Sequence, residues 1–221
     1  MTRLRLGLVW AVCAASAVLA GGCDEAAYIL TKTIGPFLPE DEHVAEVDLA
    51  EASLLVLVDV EDPTVASEFP RVGTLLAKGI TETLEAHEAC GPVVPVRSVL
   101  AARRMEPDFG QWSVAQAGEY FNVDRVLHVQ LFEFRVKDSP GSNVLRGYAE
   151  AAIRLVSPET GRQAWPVLEE ARLVTAEALP EADVQESARH EEDLATGLGE
   201  KIARHFCTYK INDLPLRPKV K

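Results

Sequence analysis

The sequence is poor in the residues on which enzyme sites are most often built. Its 221 residues include only four cysteines, five histidines, two methionines and three tryptophans. Four cysteines are too few for a disulfide-dense scaffold of this length. There is no Gly-x-Ser-x-Gly elbow, no phosphate loop and no Gly-x-Gly-x-x-Gly fingerprint. His190-Glu191-Glu192 starts like a His-Glu-x-x-His zinc motif, but the second histidine is missing. Basic charge is scarce as well: 22 Lys and Arg stand against 34 Asp and Glu, a formal net charge of −12. Such a chain lacks the Lys/Arg patches that neutralise phosphates, so no nucleic-acid partner is expected. The long apolar run from Leu6 to Ala20 falls short of the ~20 residues that span a bilayer comfortably. No internal repeat and no low-complexity stretch is present.

What is present begins at the N-terminus. Arg3 and Arg5 precede the apolar run, and Gly21-Gly22 then lead to Cys23. Basic residues, an apolar stretch and small residues before a cut make a secretory leader. The cysteine directly after the small residues resembles the bacterial lipoprotein signal, in which that cysteine receives the lipid and becomes the new N-terminus. Leu19-Ala20-Gly21-Gly22-Cys23 departs from the usual spacing by one place, because alanine stands where leucine is common. The resemblance implies a leader over 1–22 and lipid on Cys23. The protein would then sit in the cell envelope, lipid-anchored and facing the periplasm. The choice of inner or outer membrane stays open, although Asp24 follows the cysteine. An acidic chain gains nothing from anionic headgroups, so the lipid itself would hold it to the membrane.

The remaining ~200 residues suit one domain. Residues 23–52 read as a lipidated tether and lead-in, 53–208 as an α/β domain, and 209–221 as a basic tail. Ser53 to Val60 is a Val/Leu-rich run bounded by Asp62-Pro63, the pattern of a strand buried on both faces. Ser67 and Pro70 suit a helix start, and apolar residues from Val72 to Leu84 recur at helical spacing up to His87. Val93-Val94-Pro95-Val96 reads as a second strand at a sheet edge, completing a strand–helix–strand unit. A short helix over 98–104 and a capped helix from Ser113, with Gln116 completing the box, follow. Arg125–Val136 and Val144–Val156 form a hairpin across Lys137–Asn143. A strand over Gln163–Thr175 and an amphipathic helix over Glu181–Phe206 complete the order β-α-β-α-β-β-β-α. The expected fold is mixed α/β: a single mixed five-stranded sheet with helices packed on it.

Several segments carry a resemblance: Leu54–Val60, Phe121-Asn-Val-Asp124 leading into Arg125–Val129, Gly147–Val156, and Pro158-Glu-Thr-Gly161 with Trp165. Together they resemble the N-terminal domain of TolB proteins and the periplasmic domain of CsgG-like curli-secretion lipoproteins. They are also similar to uncharacterised planctomycete lipoproteins. The match spans roughly 53–207 and concerns the fold. The CsgG-like resemblance implies a subunit of an oligomeric secretion or transport complex. This chain departs from it at Lys137–Asn143, which is shorter than the ~9–11 residues of a membrane-crossing strand.

Three sets of residues are candidate sites. Cys90 and Cys207 remain after the leader and Cys23 are set aside, and in an oxidising compartment a disulfide between them, free thiols, or a metal all stay open. With His87 and His205 they would make a two-His, two-Cys zinc set, although His205 and Cys207 lie two apart, a spacing that points them to different sides of a helix. Asp59, Glu61 and Asp62 stand at the carboxyl end of the first strand, the edge where α/β sheets bind ligands, and could hold Mg²⁺ or Ca²⁺ in a metal-dependent enzyme. His128, mid-strand, reads as a hydrogen-bonded core histidine, and Arg103-Arg104 as a solvated pair. No cofactor is expected. The reading that these features favour is a non-enzymatic, membrane-anchored envelope lipoprotein. It would bind another envelope protein or itself, with the last strand or the second strand as an edge for strand addition.

Overall fold

The computed structural model describes residues 42–137, 145–178 and 187–210. The expected leader, Cys23, the tether up to residue 41, residues 138–144 of the expected hairpin turn, residues 179–186, which include the expected start of the last helix at Glu181, and the tail from 211 lie outside the described residues. The elements are β1 (Glu42–His43), β2 (Leu54–Val60), α1 (Pro63–Glu68), α2 (Val72–Ala86), α3 (Val96–Met105) and α4 (Val114–Phe121). After these come β3 (Arg125–Lys137), β4 (Leu145–Val156), β5 (Gln163–Trp165), β6 (Arg172–Glu177), α5 (Ser187–Ala203) and β7 (Tyr209–Lys210). Five strands form one mixed sheet in the order β2-β3-β4-β5, with β6 also on β4, and the helices pack against it. β2 and β3 run parallel, while β3–β4, β4–β5 and β4–β6 are antiparallel. Short β1 and β7 pair separately, so Glu42–His43 and Tyr209–Lys210 are ordered pieces of stretches that read as lead-in and tail.

Five strands were expected, but they are not the same five. Val93–Val96 is not a strand. Val93 makes one parallel bridge to Leu54, and the chain then turns into α3. Pro95 is the reason: it has no N–H with which to extend a ladder, and it stands at the N-cap of α3 with φ −58°. The parallel crossover from β2 therefore passes through α1 to α4 and lands on β3. Gln163–Thr175 is not one strand either. Pro166 stops β5, and β6 starts afresh at Arg172, so both share the outer edge of β4. Ser67 does not cap α2: it lies inside a separate short helix, α1, while α2 starts after Arg71 without a side-chain cap, and Asp62 is the cap of α1. Its carboxylate accepts from Thr64 N–H at 2.7 Å, with Pro63 in the first turn. Ser113 and Gln116 form the expected reciprocal box, and Asn122 ends α4 in the left-handed conformation at φ 52°.

Alternation along the strands divides the core into two layers. On one face Val56, Val58, Leu127, Val129, Leu131, Ile153 and Leu155 meet Leu76, Ile80 and Leu84 of α2 and Leu198 and Ile202 of α5. On the other, Leu55, Leu57 and Val126 meet Val99 and Ala102 of α3 and Ala117 of α4. α2 and α5 cross in close contact. A Cβ added at Gly199 would stand 2.9 Å from the Ile80 nitrogen and 3.0 Å from the Leu76 carbonyl, so only glycine allows this approach. Among the described residues no helix is long and apolar enough to cross a membrane.

Candidate functional site

The carboxyl end of β2 gathers the polar side chains of the domain. β2 turns Leu55 and Leu57 under α3 and α4, and the same alternation brings Asp59 out beyond that cover. Register then sets three polar residues side by side. His128 lies on β3 and Arg154 directly opposite it on β4. His128 is buried, at 4 % exposure. Its Nε2 lies 2.8 Å from an Asp59 carboxylate oxygen, and Arg154 Nε donates to its Nδ1 at 3.0 Å. Because an arginine nitrogen only donates, Nδ1 must accept, which leaves the imidazole proton on Nε2, where it is donated to Asp59. Arg103 of α3 completes the chain, reaching Asp59 Oδ1 at 3.0 Å and the Val58 carbonyl at 2.8 Å. Burial pushes the Asp59 carboxyl up, but the hydrogen bond from His128 and the charge of Arg103 outweigh it and hold the group below its ordinary value.

This arrangement ties three strands and a helix together, with both histidine nitrogens and both Asp59 oxygens engaged. It borders a cleft of about 260 Å³ lined by Leu57, Asp59, Arg103, Phe109, Trp112 and Ala117. The other two carboxylates proposed with Asp59 are occupied by protein donors: Glu61 accepts from Gln130 Nε2 at 2.9 Å, and Asp62 caps α1. The three do not converge, and among the described residues no three His, Cys, Asp or Glu side chains are placed to hold a metal ion.

The same holds for the proposed zinc set. His205 Nδ1 turns to Glu46 at 2.6 Å, and His87 lies near the Tyr209 ring, with centroids 6.2 Å apart. Cys90 is half-buried and Cys207 buried, both as thiols. Burial, then the charge of Cys90, pushes the Cys207 thiol up to about 11, against a smaller opposing effect of Arg204, while burial and then Glu85 push the Cys90 thiol up.

A second feature escaped the sequence reading. In the parallel pairing with β3, the odd residues of β2 bond inward: Arg125 N–H donates to Ser53 C=O at 3.1 Å and Glu61 N–H to Leu131 C=O at 2.9 Å. The even residues therefore face away from the sheet. Leu54 is satisfied there, donating to Pro92 C=O and accepting from Val94 N–H, both at 2.9 Å. Arg103 occupies the Val58 carbonyl. The Val56 N–H and C=O and the N–H groups of Val58 and Val60 have no hydrogen-bond partner among the described residues. They open onto an apolar groove of about 180 Å³ between α2 and α3. No local signal announces this edge, because the run at 93–96 reads as the strand that would have covered it.

No protein-family model and no curated protein matches the sequence. Among solved structures, the chain is similar to a PelC dodecamer from Paraburkholderia phytofirmans at 16% identity and a TM-score of 0.47, over 76% of this chain and 97% of that one. It is also similar to protein XCC0632 from Xanthomonas campestris, at 12% identity and a TM-score of 0.47, over 72% and 83% of the two chains. A third likeness is to the lipoprotein GNA1162 from Neisseria meningitidis, at 19% identity and a TM-score of 0.39, over 57% and 81%.

Proposed function

We propose that this protein is a lipid-anchored envelope lipoprotein without catalytic activity, whose α/β domain docks another envelope protein. The observation that carries the docking is the unpaired edge of β2, where backbone donors and an acceptor border an apolar groove. The anchoring rests on the leader and Cys23. The polar cluster at the end of β2 fits the same reading, since its groups are turned to one another and leave no free nucleophile or base. Tethering keeps the domain at one membrane, where a partner in the same compartment meets it at raised effective concentration. The kinship to TolB N-terminal and CsgG-like domains belongs to this proposal, as do the boundaries at 22, 52 and 208 and a covalent pairing of Cys90 with Cys207.

The test has two parts. Cys23→Ser should abolish incorporation of labelled palmitate and release the protein from membranes. The native mass of the wild-type protein, extracted from its own membranes in mild detergent, should correspond to one or two copies with a second protein in fixed ratio. A large uniform homo-oligomer, or the bare chain, would overturn the docking reading.

A further inference from the structure

The chain leaves the sheet at Pro95, and what it leaves behind is an unpaired stretch of β2. Pro92 to Val94 run parallel to β2 and bond to Leu54 on both sides. From Val56 onward no described strand continues that track, and the groove takes its place. We propose that this groove receives an extended segment of a partner protein, which adds to Val56–Val60 as a further strand and presents carboxylates to α3. The inference rests on the docking reading and names the chemistry of its partner.

Four features determine what can enter. First, Val56, Val58 and Val60 offer free donors, and Val56 a free acceptor, at the two-residue repeat of a β-ladder. Second, the wall supplied by α2 is low at Gly73, where an added Cβ would stand 3.6 Å from Val60 and 3.7 Å from Val58. At that point the gap between helix and sheet admits a methyl group. Third, α3 contains three arginines and no acidic residue, in a chain of net charge −12. Arg97 and Arg104 flank Leu100 at i−3 and i+4, so they stand on one stripe with this lining residue, and neither forms an ion pair among the described residues. This rim is complementary to carboxylates. Fourth, Arg103 donates to the Val58 carbonyl from α3 and so takes the place of an incoming N–H. An arriving strand would replace it there while Arg103 keeps its contact with Asp59.

A second copy of this chain does not fit. Pairing two β2 edges would drive the α2 and α3 walls of one copy into those of the other, and would bring two basic rims and two strongly acidic chains together. A segment that arrives without its own covering helices meets neither obstacle.

The probe is a random dodecapeptide display library panned on the full chain in mild detergent, followed by synthesis of the enriched peptides. Enriched peptides should alternate small apolar residues with others and carry Asp or Glu. They should slow hydrogen exchange at the Val56, Val58 and Val60 amides. Gly73→Leu, which fills the groove from a helical position, should weaken binding at least tenfold. Arg97→Glu with Arg104→Glu should weaken acidic peptides and spare their neutral counterparts. No enrichment, enriched peptides that leave those amides unprotected, or binding indifferent to Gly73→Leu would each overturn the proposal. If a second protein still co-extracts in fixed ratio with Gly73→Leu, the groove is refuted while the docking reading stands. If none co-extracts with the wild type, the docking reading itself fails.

Discussion

Replacing His128 by alanine should cost this domain about 3 kcal/mol. The imidazole is buried between two charged groups, with a hydrogen bond of 2.8 Å to Asp59 and one of 3.0 Å from Arg154. Hydrogen bonds to charged groups contribute about 1.5–3 kcal/mol each. The Asp59 side chain is 43% exposed and keeps Arg103, so it recovers part of that loss from water. Truncation also leaves a small cavity beneath the sheet. Together these give roughly 2–4 kcal/mol. With a urea m-value of about 2 kcal/mol/M, the midpoint should fall by about 1–2 M. Urea unfolding followed by circular dichroism reads this directly, and the Asp59→Asn, His128→Ala double-mutant cycle isolates the shared bond. Strict additivity, or a loss below about 0.5 kcal/mol, would refute the structural role given to the cluster.

Other consequences can be tested at the same bench. The folded Asp59 carboxyl lies below its unfolded value, so its contribution is present above about pH 4 and disappears as the pH falls through the folded value. The stability difference between wild type and Asp59→Asn should therefore shrink on acidification, and a difference that stays constant down to pH 2 would contradict the assignment. Gly199→Ala should destabilise by about 2–4 kcal/mol, because the new Cβ meets the backbone of α2 at Ile80 and Leu76; thermal unfolding decides this. With its thiol pushed up to about 11, Cys207 should react with iodoacetamide at pH 8 far more slowly than Cys90, read by mass spectrometry of reduced protein. Ser113→Ala should cost about 1 kcal/mol through loss of the α4 cap.

The parts of this molecule legible in its sequence are those set by local chemistry. The Val/Leu run at 54–60, the box at Ser113 and Gln116, the long hairpin strands and the Leu194, Leu198, Ile202 stripe all carry their own signals, and the structure has them in place. Local pattern misleads where proline decides between two outcomes. Val93–Val96 has the composition of a strand, yet Pro95 favours the start of a helix over the continuation of a ladder. Pro166 likewise divides one expected strand into two. The Asp59–His128 contact joins residues 69 apart. It depends on the parallel register of β2 and β3, which no local pattern specifies. The acidic triplet was visible as a group of charges but not as three separate attachments, because each carboxylate finds its donor only once the strands are paired. The open edge of β2 exists because Val93 makes a single bridge to Leu54 and the chain then enters α3.

Hydrogen exchange at the Val56, Val58 and Val60 amides decides whether a partner docks on β2. It would compare the complex extracted from native membranes with the isolated chain. Protection in the complex that is lost in the isolated chain is the predicted result. Equal exchange in the two states, with a second protein bound in the complex, would show that docking occurs elsewhere and contradict the assignment of the β2 edge.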